Sequence, residues 1–359
     1  MLRWWERGGF GGRRGDRSGD GFGFGADDSA VDGADGPGEQ STGHGRGTIA
    51  MTAQTSGGAT PTLTADDLVA AVPGLAETGI AVEVHSFRQL PGASLGFSDL
   101  LELAVAIEER PVDGIVITQG TDTIEETAYL LDLITAGDTP VVVTGAMRNA
   151  SMAGADGPAN VLAAIRVAAS AEARGTGCTV VFGEEIHAAR WVRKTHATSP
   201  LAFTSYPGPI GYIAEDRVRI TTHPSSQSPV IDPRSATAPA RTAIVTVGVG
   251  DDGTILRVVG DHVDGLVVAA FGAGHVPMAC GDVLTDPAKR MPVILATRTG
   301  AGPVLRKTYG FPGSESDLLE RGLTSASTLD PVKARILLQL LLMSGADKDH
   351  VHQSFSTVA

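Results

Sequence analysis

Residues 114–134 read GIVITQGTDTIEETAYLLDLI. The apolar run Gly114 to Thr118 suits a strand buried on both faces, and the apolar positions of IEETAYLLDLI recur at helical spacing. Between the two stands a polar turn, Thr-Gln-Gly-Thr-Asp-Thr, residues 118–123. A strand that passes through such a turn into a helix is half of a βα unit, and the turn lies at a carboxyl end of the sheet, where ligands collect. Thr123-Ile-Glu-Glu126 also has the form of a capping box, and Asp122 favours a helix N-terminus, so the turn has a plain structural reading beside a chemical one.

On either side the pattern repeats. Ala81 to Phe87 reads as a strand, Ser98 to Glu109 as an amphipathic helix, and Asp66 to Val72 as a short helix after a Thr64 cap. Pro140 leads the strand VVVTGAM, which runs through a polar loop into a helix starting near Asp156-Gly-Pro158. That triplet has the form of an N-cap followed by proline in the first turn. Two neighbouring strand ends therefore face one crevice. Residues 221–241, TTHPSSQSPVIDPRSATAPAR, have little periodicity and read as an interdomain linker. Beyond it come strands at Ala243 to Gly248, Gly265 to Ala270 and Val293 to Ala296, then a helix from Asp330 to Met343 with a wide apolar face. The fold class is α/β: a larger N-terminal domain (48–225) with a mainly parallel sheet, a linker (226–241) and a smaller C-terminal domain (242–359).

Composition bounds the function. The chain has 359 residues, 42% of them apolar, a formal charge of −13 and two cysteines. The acidic balance opposes nonspecific binding to nucleic acid or anionic membrane, since both are polyanions. Cys178 and Cys280 are too few for a disulfide framework or a four-thiolate zinc site and fit a reducing compartment. No apolar run approaches the ~20 residues of a transmembrane helix. Residues 1–47 are about one third glycine, lack apolar periodicity and are expected to be disordered. Charges interrupt them before any secretory apolar core forms, so cytoplasm is the default compartment. Their arginines alternate with Trp4, Trp5 and Phe10 as in RNA-binding arms, but the acidic half from Asp20 to Glu39 offsets that charge.

A threonine hydroxyl needs a nearby base and backbone donors facing the developing oxyanion. Thr121 and Asp122 stand at the turn, and Lys194, the sole lysine in the middle of the chain, lies in WVRKTHATSP. A Lys194 that reaches the crevice is held by the Asp122 carboxylate or shares a proton with Thr121, a Thr-Lys-Asp relay.

Five segments, in order, are similar to the bacterial-type asparaginase/glutaminase family: GTIAM (47–51), TQGTDTIEETAYLLDL (118–133), PVVVTGAMRNASMAGADGPANVLAA (140–164), VRKTHATSPLAFTSYPGPIGYI (192–213) and LDPVKARILLQLLL (329–342). The resemblance implies a larger α/β domain and a smaller Rossmann-like one, active sites at subunit contacts of a homotetramer or homodimer, and hydrolysis of the side-chain amide of L-asparagine. It implies that Thr48 attacks the amide carbon and forms an acyl-enzyme, while Thr121, Asp122 and Lys194 move protons and activate water. Asp122 also holds the substrate ammonium, and backbone donors near Thr121 and Ala146 receive the oxyanion. Ser94 and His275 are further substrate-binding candidates, His275 from a neighbouring subunit. No metal or organic cofactor is implied.

The chain departs from the family pattern in three places. Arg46 stands where the family's Gly-Gly-Thr-Ile-Ala turn has its first glycine, and GEQSTGHGR, which leads to Gly47, contains no strand former. The expectation is that residues 1 to about 46 are not the fold's natural beginning but a frame error or alternative start, which leaves the first strand missing and its neighbours' edges unpaired. Reading the upstream DNA in all three frames tests this. SGGATPTL (56–63) lacks the family's lid tyrosine, and LPGASL (90–95) places Gly92 and Ala93 where side chains usually meet the substrate carboxylate. A glutaminase-leaning amidase, since one methylene discriminates by only ~1–3 kcal/mol, and a catalytically weak amino-acid-binding homologue remain as alternatives.

Overall fold

A computed structural model describes residues 70–88, 90–224 and 231–357, with the backbone of short strands at β1 (Leu2–Glu6), β2 (Met51–Thr52) and β3 (Thr60–Pro61). Most of the expected Asp66–Val72 helix lies outside the described residues, as do 225–230 of the linker. The other expected elements form within one or two residues of their sequence bounds, except that the strand starting at Val141 ends at Thr144 rather than Met147.

After β4 (Glu83–Arg88) comes α1 (Phe97–Glu108), followed by β5 (Ile115–Thr118), α2 (Ile124–Ile134), β6 (Val141–Thr144) and α3 (Gly157–Ala168). Strands β7 (Cys178–Phe182), β8 (Glu185–Ala188), β9 (Val192–Lys194), β10 (Phe203–Ser205), β11 (Gly211–Ala214) and β12 (Arg217–Ile220) complete the larger domain. Its main sheet has the order β12-β11-β8-β7-β6-β5. The parallel core β5-β6-β7 is continued by antiparallel β8, β11 and β12.

Every residue of β5 and β6 is buried, and successive side chains enter opposite layers. Ile115, Ile117, Val141 and Val143 pack with Leu130, Leu131 and Ile134 of α2. Val116 and Val142 pack with Val161, Ala164 and Ile165 of α3. The continuous apolar runs in the sequence are thus what a strand covered by helices on both faces requires.

The smaller domain holds an all-parallel sheet in the order β13 (Thr242–Thr246), β14 (Gly265–Ala270), β15 (Val293–Thr297), β16 (Thr324–Ser325). On one face lie α4 (Thr254–Gly260) and α5 (Met278–Arg290), whose Leu256, Cys280 and Leu284 meet Leu266, Val268 and Leu295. α6 (Glu315–Glu320) precedes β16, and α7 (Pro331–Met343) and α8 (Lys348–Thr357) close the chain. Ile336, Leu337 and Leu340 of α7 join the core that contains α2, so the helix is enclosed between the two domains. That position explains why its apolar face is wide. The described part of the linker is strapped down: Ile231 N donates to Leu133 O at 2.7 Å, and Ala238 N to Met343 O at 2.9 Å.

Leu2–Glu6 departs from expectation. The sequence of residues 1–47 predicts no regular element, yet β1 runs antiparallel along β4 and lies against β5. Among the described residues, β5 is the last hydrogen-bonded strand of its sheet although all of its residues are buried. A buried strand with a free edge favours any segment that covers it, and Leu-Arg-Trp-Trp-Glu has the β-propensity to do so. Among the described residues, no helix is long and apolar enough to cross a membrane.

Candidate active site

The site begins where β5 and β6 end. Gln119 N donates to Thr144 O at 3.1 Å and carries the ladder one residue beyond the strands. A Cβ on Gly145 would stand 2.6 Å from Gln119 O, so glycine there lets the two strand ends close together. Thr121–Asp122–Thr123 then form one 3₁₀ turn leading into α2.

The capping-box expectation for Thr123–Glu126 is corrected. Thr123 stands at the cap position without capping the helix through its side chain. Its hydroxyl donates instead to Gly92 O at 3.1 Å and accepts from Gln119 Nε2 at 3.3 Å. The reason is the closeness of the Gly92–Ser94 turn: a Cβ on Gly92 would lie 3.0 Å from Gly120 O. This contact sets Ser94, which is exposed, on the turn beside Thr121 and Asp122.

Lys194 arrives from the other side on the β9–β10 hairpin, in which it pairs with Phe203. Its Nζ donates to Thr121 Oγ1 at 2.9 Å and to Asp122 Oδ1 at 2.9 Å. The lysine side chain is 14% exposed and the Asp122 side chain 71%, whereas Thr121 is buried. Low dielectric around Thr121 strengthens the contact, and the open Asp122 carboxylate presents negative charge to an incoming ligand.

Asp156 occupies the N-cap position of α3, but its side chain makes no cap. Its carboxylate accepts from Met147 N at 3.0 Å, Arg148 N at 2.8 Å and Asn160 Nδ2 at 3.2 Å. Asn160 Nδ2 also donates to Gly145 O at 3.0 Å. The two side chains hold the loop after β6 and fix buried Ala146 at the crevice. Spacing placed Asp156 at the helix start without showing this second task.

The chemistry-bearing residues read from the sequence are thus only partly assembled. Thr121, Asp122 and Lys194 meet, with Ser94 and Ala146 on the flanking turns. His275 stands in the smaller domain, where its Nε2 is 3.1 Å from Glu315 Oε2 and its ring makes edge contacts with both Tyr309 and Phe311. Thr48, Arg46 and most of the 56–63 stretch lie outside the described residues.

Sequence reasoning passed over Glu125 and Lys333. Burial raises the Glu125 pKa, against the attraction of Lys333, and its carboxylate accepts from Lys194 N at 3.1 Å. A lysine in the first turn of a largely apolar helix was the available signal for Lys333.

A match to the family model described as "Asparaginase, N-terminal" covers residues 42–226, and one to "Glutaminase/Asparaginase C-terminal domain" covers 241–355. The chain belongs to the bacterial-type asparaginase family. A "Probable L-asparaginase" of Deinococcus radiodurans is 38% identical over 292 residues, covering 80% of this chain and 88% of the relative. An L-asparaginase of Bacillus licheniformis is 34% identical, covering 74% and 83%. The crystal structure of a probable cytoplasmic L-asparaginase from Campylobacter jejuni matches with a TM-score of 0.77 at 32% identity, over 87% of this chain and 97% of that one.

For this member of the asparaginase family, the Thr121–Asp122–Lys194 cluster falls within the segment matched by the N-terminal model. A cavity of about 710 Å³ lined by Arg166, Ser170 and Asp216 lies at the opposite end of α3 from Asp156 and includes none of the three. No group of three or more His, Cys, Asp and Glu side chains is arranged to hold a metal ion among the described residues.

Proposed function

We propose that this chain is an L-asparaginase, hydrolysing the side-chain amide of L-asparagine to L-aspartate and ammonia. The observation that carries the reading is the meeting of Lys194 Nζ with both Thr121 Oγ1 and Asp122 Oδ1 at a sheet's carboxyl end. Family membership and the named L-asparaginase relatives support the choice of substrate.

In the proposed sequence, the Thr48 hydroxyl oxygen bonds to the amide carbon and its proton goes to the departing nitrogen. Collapse of the tetrahedral intermediate breaks the carbon–nitrogen bond, releasing ammonia and leaving an ester on Thr48. Water loses one proton to the Thr121–Lys194 pair as its oxygen bonds to the ester carbon; the bond from that carbon to the Thr48 oxygen breaks, and that oxygen takes the proton back from the pair, restoring the threonine. Asp122 receives the substrate ammonium through its exposed carboxylate, and backbone N–H groups near Thr121 and Ala146 face the oxyanion. Ser94 contributes to holding the α-carboxylate, and His275 approaches a neighbouring subunit's substrate.

The same reading divides the chain into a catalytic domain at 48–225, a linker at 226–241 and a second domain at 242–359; of residues 1–47, Leu2–Glu6 pairs with β4 of the first of these. The spans of the two family matches support this division. Assembly is to a homotetramer or homodimer, consistent with exposed Val249, Ile255, Val258 and Met278 in the second domain. A cytoplasmic site of action is supported by the two buried, unpaired cysteines.

The test is product analysis. Purified chain incubated with L-asparagine is expected to yield aspartate and ammonium in equal amounts, with L-glutamine turned over more slowly. Folded protein that releases ammonium from neither amide contradicts the proposal.

A further inference from the structure

Lys194 sits on weak scaffolding. Among the described residues its strand β9 pairs only with β10, in a two-stranded sheet separate from the main one. A lone hairpin of this kind is marginal in water, so other contacts must fix it. Two such contacts come from charged side chains on different domains. Glu125, in the first turn of α2, accepts the Lys194 backbone N–H at 3.1 Å. Lys333, in the first turn of α7, donates its Nζ to Val192 O at 2.5 Å.

These two side chains belong to one buried charge cluster. Lys333 is 0% exposed, and its Nζ lies 2.8 Å from Asp330 Oδ2 and 4.0 Å from Glu125 Oε2. Asp330 in turn caps α7, its Oδ1 accepting from Val332 N at 2.9 Å and Lys333 N at 3.1 Å. Burial pushes the Asp330 pKa up, but attraction and hydrogen bonding from Lys333 outweigh it and hold the group below its ordinary value. A buried ammonium is costly unless paired and fully hydrogen-bonded. Here its partners are the Asp330 carboxylate and a carbonyl two residues from Lys194. Arg193, between the pinned residues, runs to Gly300 of the smaller domain.

We infer that Glu125 and Lys333 are positioning residues for catalysis: they clamp both ends of β9 so that the Lys194 ammonium stays within reach of Thr121, coupling the smaller domain to the active site of the larger. The inference rests on the catalytic reading of Lys194 given above. Hydrogen bonds to the two ends of a three-residue strand fix its translation and tilt. Loss of either lets the ammonium drift from a hydroxyl that must be met at hydrogen-bond distance. A misplacement near 1 Å costs rate on the order of 100-fold without touching substrate.

The test compares kcat and KM for L-asparagine in folded variants of the full chain, with melting temperature alongside. Glu125→Ala is expected to lower kcat roughly 10- to 100-fold with KM changed less than about twofold. Glu125→Gln, whose amide oxygen still accepts the Lys194 N–H, is expected to recover kcat to within about threefold of wild type. Lys333→Met combined with Asp330→Asn removes the ammonium together with the carboxylate paired to it and keeps an α7 cap, so the fold persists while Val192 O loses its donor. It is expected to show the same selective loss of kcat. Wild-type kcat in both Glu125→Ala and the double variant, with Lys194→Met inactive in the same assay, overturns the positioning role alone. Wild-type kcat in Lys194→Met overturns the catalytic reading beneath it.

Discussion

The Lys194 ammonium meets the Thr121 hydroxyl at 2.9 Å across 73 residues of sequence. One partner comes from a turn that follows a parallel strand, the other from a separate antiparallel hairpin. Bringing them together takes the packing of the β9–β10 hairpin on α2, and the pair exists only in the folded chain. Proton transfer between threonine, lysine and water then needs no rearrangement of the protein.

Asp122 is the most open member of the cluster, and its charge is expected to serve binding more than chemistry. Replacing it as Asp122→Asn removes the charge while Lys194 keeps Thr121. The loss of a charge-assisted contact to the substrate ammonium corresponds to roughly 1.5–3 kcal/mol. Steady-state kinetics should show kcat/KM for L-asparagine reduced about 10- to 100-fold, chiefly through KM. A fall confined to kcat contradicts this division of labour.

Asp156 acts through the loop it ties down. Asp156→Ala leaves the Met147 and Arg148 N–H groups without their acceptor, at a cost of about 2–3 kcal/mol. Denaturant titration should show that loss, with turnover falling in parallel because Ala146 adjoins the freed segment. Asp156→Asn, which keeps one acceptor oxygen, should recover roughly half.

His187 on β8 is buried, with Nδ1 2.9 Å from Ser205 Oγ, and burial lowers its pKa from 6.5 to about 4. Exposed Glu185, 3.5 Å from Nε2, is screened by water. In the unfolded chain the ring binds a proton near pH 6.5, while the folded chain refuses it until about pH 4. The unfolded state therefore holds more protons in that window, and stability is lost as pH falls through it. His187→Leu should abolish this component. The difference in unfolding free energy between wild type and variant should change by about 3 kcal/mol between roughly pH 7 and pH 4. A difference independent of pH contradicts the assignment.

Both cysteines should be inert in the native state. Burial pushes the Cys178 thiol up, and burial followed by the nearby Asp251 carboxylate pushes Cys280 up to about 11. Thiolate is the reactive form. Alkylation near pH 8 followed by mass spectrometry should find neither residue modified until denaturant is added.

Much of this architecture was legible because local signals were strong. Val141–Thr144 and Ile115–Thr118 are apolar runs that only a doubly covered strand explains, and Ile124–Ile134 has the spacing of a helix packed on them. Thr121, Asp122 and Lys194 were legible as residue types, and the family resemblance put them together. What failed were inferences from local grammar where tertiary contact overrode it. Thr123 looks like a helix cap until the Gly92 carbonyl comes within reach, and Asp156 looks like one until the Met147 and Arg148 amides do. Leu2–Glu6 shows no alternation of apolar and polar residues and becomes a strand by pairing with β4 and lying against β5. The Lys333 contact with Val192 spans 141 residues, a distance over which periodicity says nothing.

Ammonium release from L-asparagine by Thr121→Ala and Lys194→Met, beside the wild-type chain at equal folded concentration, tests the central claim most directly. The account expects turnover by the wild type and kcat lower by about 10²- to 10⁴-fold in each variant, the range for loss of a positioned proton-transfer group. Variants that release ammonium at the wild-type rate would contradict it.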